Sequence, residues 1–396
     1  MNPNPPLLLL IALAGIGPLA LNIFIPSMPG LQTTFATDYG TVQLTLSFYL
    51  AATAVAQLFL GTWSDRLGRR PVVLAGLLLF VIGSFLATLA SSIALLIGAR
   101  ILQAVGGAVG MVVGRAIVRD INDEQNAASQ IAYIAMAMVI APMIAPALGG
   151  YLDVWFDWRA SFITVAVAGL LVWLWALAAL PETLQERRSS TGVGAILRDY
   201  VRLLKSPLFC AWSVTMAFSS GVFFTFLAGA PYVMVHILHR TPDEYGLYFV
   251  LVSLGYMSGN FFAGRMSRRL GTHKMIALGC LLAVFGTLLN SALSWAGILS
   301  PLSLFGCMAI VALSNGICLP NATAAAVSVI PSLTGTASGL AGFLQIAVGA
   351  LGTVLVGALL QDSHIPLIII MQISAIIALL ALLVGVSYSR SHFGEL

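Results

Sequence analysis

Apolar residues in this chain come in long unbroken runs, with polar residues gathered between them. Twelve runs fall near 7–28, 41–62, 71–90, 92–118, 127–150, 158–180, 207–236, 244–266, 274–296, 300–328, 334–360 and 364–388. A helix that crosses a bilayer needs roughly 20 such residues. The runs lack the period-two alternation of a transmembrane barrel. The pattern predicts an all-α polytopic membrane protein with twelve transmembrane helices. The longest polar interval, Glu182 to Pro207, lies near the midpoint. It divides the chain into a first half, 1–184, a linker, 185–206, and a second half, 207–396. An interfacial helix is expected around Gly194–Leu204.

The two halves repeat each other. Gly61-Thr-Trp-Ser-Asp65-Arg66-Leu-Gly68-Arg69-Arg70 follows the second run, and Gly264-Arg-Met-Ser-Arg268-Arg269-Leu-Gly271-Thr-His273 follows the eighth. Gly, Ser, Arg, Leu and Gly recur at a constant offset of 203 residues. Two six-helix halves in one orientation are what parallel-repeat transporters use, with the substrate site between the repeats.

Composition agrees. Of 396 residues, 59% are hydrophobic and 8% charged, with a mean hydropathy of +0.99. This excludes an ordinary soluble domain. The net charge of +4 does not suggest a nucleic-acid partner, because the basic residues follow topology. With the N-terminus inside, all but three of the 18 Lys and Arg lie on or near the cytoplasmic side, and both termini are cytoplasmic by the positive-inside rule. Met1–Pro6 has no charged leader ahead of the first run, so no cleavable signal peptide is expected. Cys210, Cys280, Cys307 and Cys318 all lie in runs, where cysteine behaves as a small apolar residue. No disulfide is expected.

Arg100 is the exceptional charge, since Arg159 and Arg240 fall in outer loops. Counted from Ser92, it sits roughly 12 Å into the bilayer at ~1.5 Å per residue. A charge there costs at least ~2.5 kcal/mol and faces a cavity, a substrate or a partner. The alternative is a structural arginine bonded to carbonyls of the first or second span. All 14 acidic residues lie in loops or at span ends, which leaves no carboxylate in mid-membrane.

These residues carry a family resemblance. Gly61–Arg70 resembles motif A of the major facilitator superfamily. Arg100-Ile-Leu-Gln103-Ala-Val-Gly106 resembles its buried-arginine motif B. Ala141-x-x-x-Ala145-Pro146-x-x-Gly149-Gly150 is similar to the antiporter motif C, with Ala for its first two glycines. Phe226–Tyr232, Pro320-Asn321-Ala322 and Gly335-Thr-Ala-Ser338 resemble the bicyclomycin/chloramphenicol-resistance (Bcr/CflA) branch of twelve-helix drug:proton antiporters. The resemblance covers essentially the whole chain. It implies the major facilitator fold and export of amphipathic drug-like molecules by alternating access, coupled to proton influx, in a bacterial inner membrane. A proton-independent facilitator or metabolite exporter of the same fold is the alternative. Relatives of this branch often carry an acid in the place of Asn22, so the resemblance leaves proton coupling without its usual residue. Asp153, Asp38, His236 or the substrate's own proton are the candidate substitutes.

The motif A resemblance further implies a gate. Asp65 faces the start of span eleven near Thr334–Thr336, and Arg69 or Arg70 pairs with Asp120. In the second copy, Arg268 or Arg269 faces Asp123 and Glu124. Ala141–Gly150 is read as a hinge and close-packed seam, and Gly106, Gly110 and Gly114 as a packing ladder. Candidate cavity residues are Asn22, Phe48, Tyr49, Arg100, Gln103, Phe223, Phe224, Phe226, Asn315, Asn321 and Gln345. Each aromatic has a plainer reading as core or lipid-facing.

His236 and His239 are spaced i, i+3 but have no third ligand near in sequence, and no metal or cofactor is expected. Asn321-Ala-Thr323 matches a glycosylation sequon but lies within a run. An intramembrane enzyme is disfavoured because no span holds a His/Asp/Glu cluster or a Ser/Lys dyad. A channel is disfavoured by the repeat and the gate motifs. The expected partners are an amphipathic substrate, membrane lipid and, in the antiport reading, protons. The chain is expected to act as a monomer.

Overall fold

The structure, a computed structural model, describes residues 5–121, 141–184, 193–330, 333–361 and 363–393. Among these, fourteen α-helices follow in order: α1 (Leu7–Ile23), α2 (Leu31–Phe35), α3 (Tyr39–Leu67), α4 (Arg69–Thr88), α5 (Ile93–Ile121), α6 (residues 141–155), α7 (Trp158–Ala179), α8 (Val193–Leu204), α9 (Pro207–Tyr232), α10 (Pro242–Leu270), α11 (Thr272–Trp295), α12 (Pro301–Ser328), α13 (Thr334–Leu359) and α14 (Ile365–Phe393). Eleven described helical segments are long and apolar enough to cross a bilayer. The expected fifth span, 127–150, falls largely outside the described residues; its described end is α6.

The chain forms two compact units. One comprises Met1–Ser190 with Thr241–Leu247, the other Thr191–Arg240 with Tyr248–Leu396. In the first unit, α5 packs against α1, α3 and α4, and α7 packs against α1 and α4. Small residues set these approaches. A Cβ on Gly106 would lie 2.4 Å from the Gly76 carbonyl oxygen, and one on Gly110 would lie 1.7 Å from the Leu13 carbonyl oxygen. Two rungs of the expected ladder are therefore backbone-to-backbone contacts. A Cβ on Gly114 would meet nothing within 4 Å among the described residues, so that rung makes no such contact with them.

In the second unit, α9 is central and packs on α12, α13 and α14, while α11 packs on α12 and α14. Its core joins Phe209, Trp212, Met216, Ile276, Cys280, Cys318, Leu340 and Leu382. The helix expected in the linker is α8. It inserts Leu203 into this core and leaves Leu197 and Val201 exposed, as an interfacial helix does.

The repeated motif is not the loop that its polarity suggests. α3 continues through Leu67 and α10 through Leu270, and the chain breaks only at Gly68 and Gly271. These two glycines adopt matching backbones, φ 106° and ψ 155° against φ 84° and ψ 152°, where a side chain would be strained. A 29-residue helix is about 43 Å long, more than a hydrocarbon core of ~30 Å. Its polar last turns therefore stay helical beyond the apolar stretch.

Candidate functional site

The site is built on α5. Arg100 and Gln103 lie one turn apart on one face, and both are fully buried. Arg100 Nη1 donates to the Ala20 carbonyl of α1 at 3.0 Å and to the Gln103 side-chain oxygen. Gln103 Nε2 donates to Ser84 Oγ of α4 at 2.8 Å, and Ser84 donates to the Phe80 carbonyl. The guanidinium lies 4.1 Å from the ring centre of Tyr49 on α3, 5.2 Å from Phe24 and 5.7 Å from Phe162 of α7. Tyr49 is anchored by its hydroxyl, which donates to the Gly17 carbonyl at 3.0 Å.

Three rings and a carbonyl thus stand where a counter-ion would be. Each cation–π contact contributes ~0.5 to 2 kcal/mol, the larger value when desolvated. Among the described residues no carboxylate pairs with Arg100. Its Nε and Nη2 have no hydrogen-bond partner there. Arg100 is bonded to span one, and two of its donors have no hydrogen-bond partner among the described residues.

Asn22 is buried on α1. Its amide nitrogen donates to the Pro18 carbonyl at 2.8 Å, and its Oδ1 has no partner among the described residues. Phe48, next to Tyr49, is 44% exposed, so the two adjacent aromatics serve different surroundings. Sequence reasoning missed Ser84, Phe24 and Phe162. Phe24 sits two residues from Asn22, but no spacing points from Arg100 to Ser84 or Phe162.

The motif A residues form a second cluster. Arg69 pairs with Asp65 one turn before it, donates from Nε to Asp120 at 2.9 Å and contacts Ser64 Oγ at 2.6 Å. The expected pairing with Asp120 falls to Arg69. Arg70 instead donates to the Leu180 and Leu177 carbonyls at the C-terminal end of α7, at 2.8 and 3.0 Å, which satisfies carbonyls left open there. Glu182, unremarked as a site residue, accepts the backbone N–H groups of Arg69 and Arg70 at the start of α4. Its position just past an apolar run is the only sequence signal it gives. Arg66 and Gly61 lie on the last turns of α3. The expected partners of Arg268, Asp123 and Glu124, lie outside the described residues.

Motif C forms a seam within the first unit. A Cβ on Gly149 would lie 1.7 Å from the Ile23 carbonyl oxygen, and one on Gly150 would lie 2.5 Å from the Pro242 carbonyl oxygen. Ala145 is buried, Ala141 half-buried, and Pro146 is within α6.

Of the candidate proton carriers, Asp38 caps α3 and accepts the Thr41 hydroxyl and N–H at 2.7 and 2.9 Å. These bonds hold its carboxyl below the usual value, so it stays ionised at neutral pH. Burial, with the Asp157 carboxylate adding to it, pushes Asp153 up. His236 packs on Tyr232, ring centres 4.6 Å apart.

The second-unit candidates have differing surroundings among the described residues. Phe226 is fully buried against Phe305 of α12, 5.2 Å away, and belongs to the core. Phe223 and Phe224 make an edge contact at 5.8 Å, and Phe224 also covers Gly349 of α13. Gln345 Nε2 donates to Ser220 Oγ at 3.1 Å. Asn321 bonds back to the Ile317 carbonyl at 2.8 Å, and Asn315 Oδ1 is buried with no partner among the described residues.

A two-unit helical bundle with a buried arginine network in one unit defines a polytopic membrane transporter. The sequence profile of the Major Facilitator Superfamily matches residues 10–353 and 217–393, and the chain belongs to that family. It is 30% identical over 366 residues to a chloramphenicol resistance protein of Pseudomonas aeruginosa, covering 89% of this chain and 83% of that one. It is 29% identical over 339 residues to multidrug resistance protein D of Escherichia coli (strain K12), covering 86% and 85%. The bicyclomycin resistance protein homolog of Haemophilus influenzae is 26% identical over 375 residues, covering 93% of each chain. These relatives place the chain in the bicyclomycin/chloramphenicol-resistance branch. Its fold matches an inward-facing, unoccupied bacterial homolog of the lysosomal transporter Spinster, with a TM-score of 0.75, 16% identity, and 97% and 96% of the two chains covered.

Proposed function

We propose that this chain exports amphipathic, drug-like small molecules across a bacterial inner membrane by alternating access of its halves, 1–184 and 207–396, acting as a monomer with both termini in the cytoplasm. The observation that carries this is the buried Arg100–Gln103–Ser84 network, with donors held open, in a chain whose relatives are named for drug resistance. Arg100, Gln103, Tyr49 and Asn22 are the residues through which the first half senses its load; Phe223, Phe224, Asn315 and Gln345 are the candidates in the second. The Asp65–Arg69–Asp120 cluster is the conformational latch, and Ala141–Gly150 is the hinge.

Two energy sources are open to this exporter. Proton influx is the habit of the branch. A proton-independent cycle is supported by the sequence reading that puts all 14 acidic residues in loops or at span ends. The test is saturable, counterflow-competent drug flux in proteoliposomes, with and without a pH gradient. Flux that never saturates would indicate a channel. Flux that vanishes when the pH gradient is collapsed would restore proton coupling and send the search to Asp153.

A further inference from the structure

In the second unit α11 and α14 pack on each other but leave a cleft between them, near the end where Trp295 closes α11 and Ile365 opens α14. It holds about 150 Å³, room on the order of a benzene ring or one stretch of acyl chain. Ile368 is buried in it, while Ile365, Ile369 and Ile373 are exposed along its rim, so the cleft faces the bilayer. Its polar lining is Ser291, Ser294 and Gln372. Ser294 shares a hydrogen bond with His364 at the mouth, beside Trp295, a residue type that marks the membrane interface. Gln372 lies roughly 10 Å deeper than Ile365 along α14, at ~1.5 Å per residue. Both polar atoms of its amide are buried and have no partner among the described residues. Hydrocarbon offers such atoms nothing to bond. The last torsion of a glutamine is soft, so this amide turns toward a partner that enters the cleft. Its Nε2 asks for an acceptor and its Oε1 for a donor.

We propose that this cleft binds an uncharged single-chain glycerolipid, a monoacylglycerol, that enters from the bilayer. The small volume admits one chain, which lies along Ile365, Ile369 and Ile373. The ester carbonyl accepts from Gln372 Nε2, and the neighbouring glycerol hydroxyl donates to Oε1. The second hydroxyl points back toward Ser291 and Ser294. A diacyl lipid has the carbonyl without that hydroxyl, and an alkyl ether of glycerol has the hydroxyl without the carbonyl. The head is uncharged for two reasons. Among the described residues no lysine or arginine lines the cleft, and a phosphate drawn to the depth of Gln372 would be desolvated without a counter-ion. In the orientation proposed above, the cleft opens to the outer leaflet. The site lies within the second unit alone and does not depend on what the protein exports.

The test uses the full chain in nanodiscs of a dialkyl-ether phosphatidylcholine, a host without ester carbonyls, and native mass spectrometry to count bound lipid. The probes are monooleoylglycerol, the oleyl ether of glycerol, methyl oleate and oleoyl lysophosphatidylglycerol. Monooleoylglycerol should bind saturably, one molecule per chain. The ether lacks the carbonyl and methyl oleate lacks the hydroxyls, so each should bind about fivefold more weakly, the scale of one net hydrogen bond. Gln372→Leu should erase the difference between ester and ether. Ile369→Trp, which fills the cleft from its rim, should abolish saturable binding of all the probes. Melting temperatures of both variants confirm that they fold. Binding that never saturates, equal affinity for ester and ether in the unaltered chain, or a preference that persists in Gln372→Leu overturns the inference. So does saturable binding that survives Ile369→Trp, which places the lipid elsewhere. Lysophosphatidylglycerol that binds as tightly as monooleoylglycerol overturns the uncharged class.

Discussion

The backbone N–H of Arg69 donates to Glu182 Oε1 at 2.9 Å across 113 residues of chain. The same carboxylate takes the N–H of Arg70 at 3.2 Å. An acid at the end of one span thus caps the helix that begins another, where open N–H groups and the helix dipole favour an anion. Gly68 stands beside it. A Cβ there would lie 2.5 Å from Glu182 Oε2, so no side chain at 68 can supply a local cap.

Glu182→Ala should therefore destabilise the protein by about 1–2 kcal/mol, the usual scale for a lost N-cap. Gly68→Ala should do at least as much, through clash and through a backbone that essentially only glycine adopts. The double variant should lose less than the sum, because the clash needs both partners. A thermal-unfolding cycle in detergent measures this; strict additivity would separate Gly68 from Glu182.

Arg69 bridges Asp65 and Asp120 with different nitrogens, a geometry that depends on the guanidinium fork. Arg69→Lys should lower transport about tenfold, the equivalent of one charge-assisted bond of ~1.4 kcal/mol. Arg66→Lys, exposed on the last turn of α3, should change it little. Vesicle flux of the two variants decides the point, and equal activities would remove Arg69 from the latch.

Tyr49 does two things: its ring faces Arg100 and its hydroxyl holds Gly17. Tyr49→Phe keeps the ring and should lose about 1 kcal/mol of stability, a typical net hydrogen bond, with transport largely retained. Tyr49→Leu removes the ring and should cost transport far more. Similar flux in the two variants would show that the ring contact is incidental.

Gly110 and Gly114 lie four residues apart on α5, yet among the described residues only a Cβ on Gly110 would meet α1. Gly110→Ala should force α1 and α5 apart and lower the yield of folded protein, at a cost of several kcal/mol as in overpacked cores (~1–3 kcal/mol or more). Gly114→Ala should be neutral or slightly stabilising, since alanine is the better helix former. Size-exclusion profiles and melting temperatures of both variants provide the check.

His364 precedes α14 and shares a hydrogen bond with Ser294 of α11. Burial pulls its pKa below the ordinary value, so the folded protein binds its proton less readily than the unfolded chain. Its contribution to stability is then full above about pH 6.5 and is lost as the pH falls through the folded value. The melting temperature should drop between about pH 7.5 and about pH 5.5, and His364→Gln should reduce that drop. An identical drop in the variant would assign the acid sensitivity elsewhere.

Much of this protein was legible along the chain. The length and continuity of the apolar runs predicted the spans, because backbone groups in hydrocarbon must bond within their own segment. The helix breaks at Gly68 and Gly271 follow from a repeat visible at a constant offset, and Arg100 was conspicuous as a charge among apolar residues. These are local properties, decided by a residue and its near neighbours. The surroundings of Arg100 were not local. Ser84, Phe24 and Phe162 come from different parts of the chain and meet it only because α4, α1 and α7 pack as they do, at approaches set by glycine contacts such as Gly110 on Leu13. The division of labour between Arg69 and Arg70, the reach of Glu182 and the separation of Phe48 from Tyr49 were likewise settled by packing. Hydropathy assigns a residue to a span. Which face of the helix it occupies, and what meets it there, is set by interhelical contacts between residues more than 100 positions apart, and no run or spacing along the chain encodes those contacts.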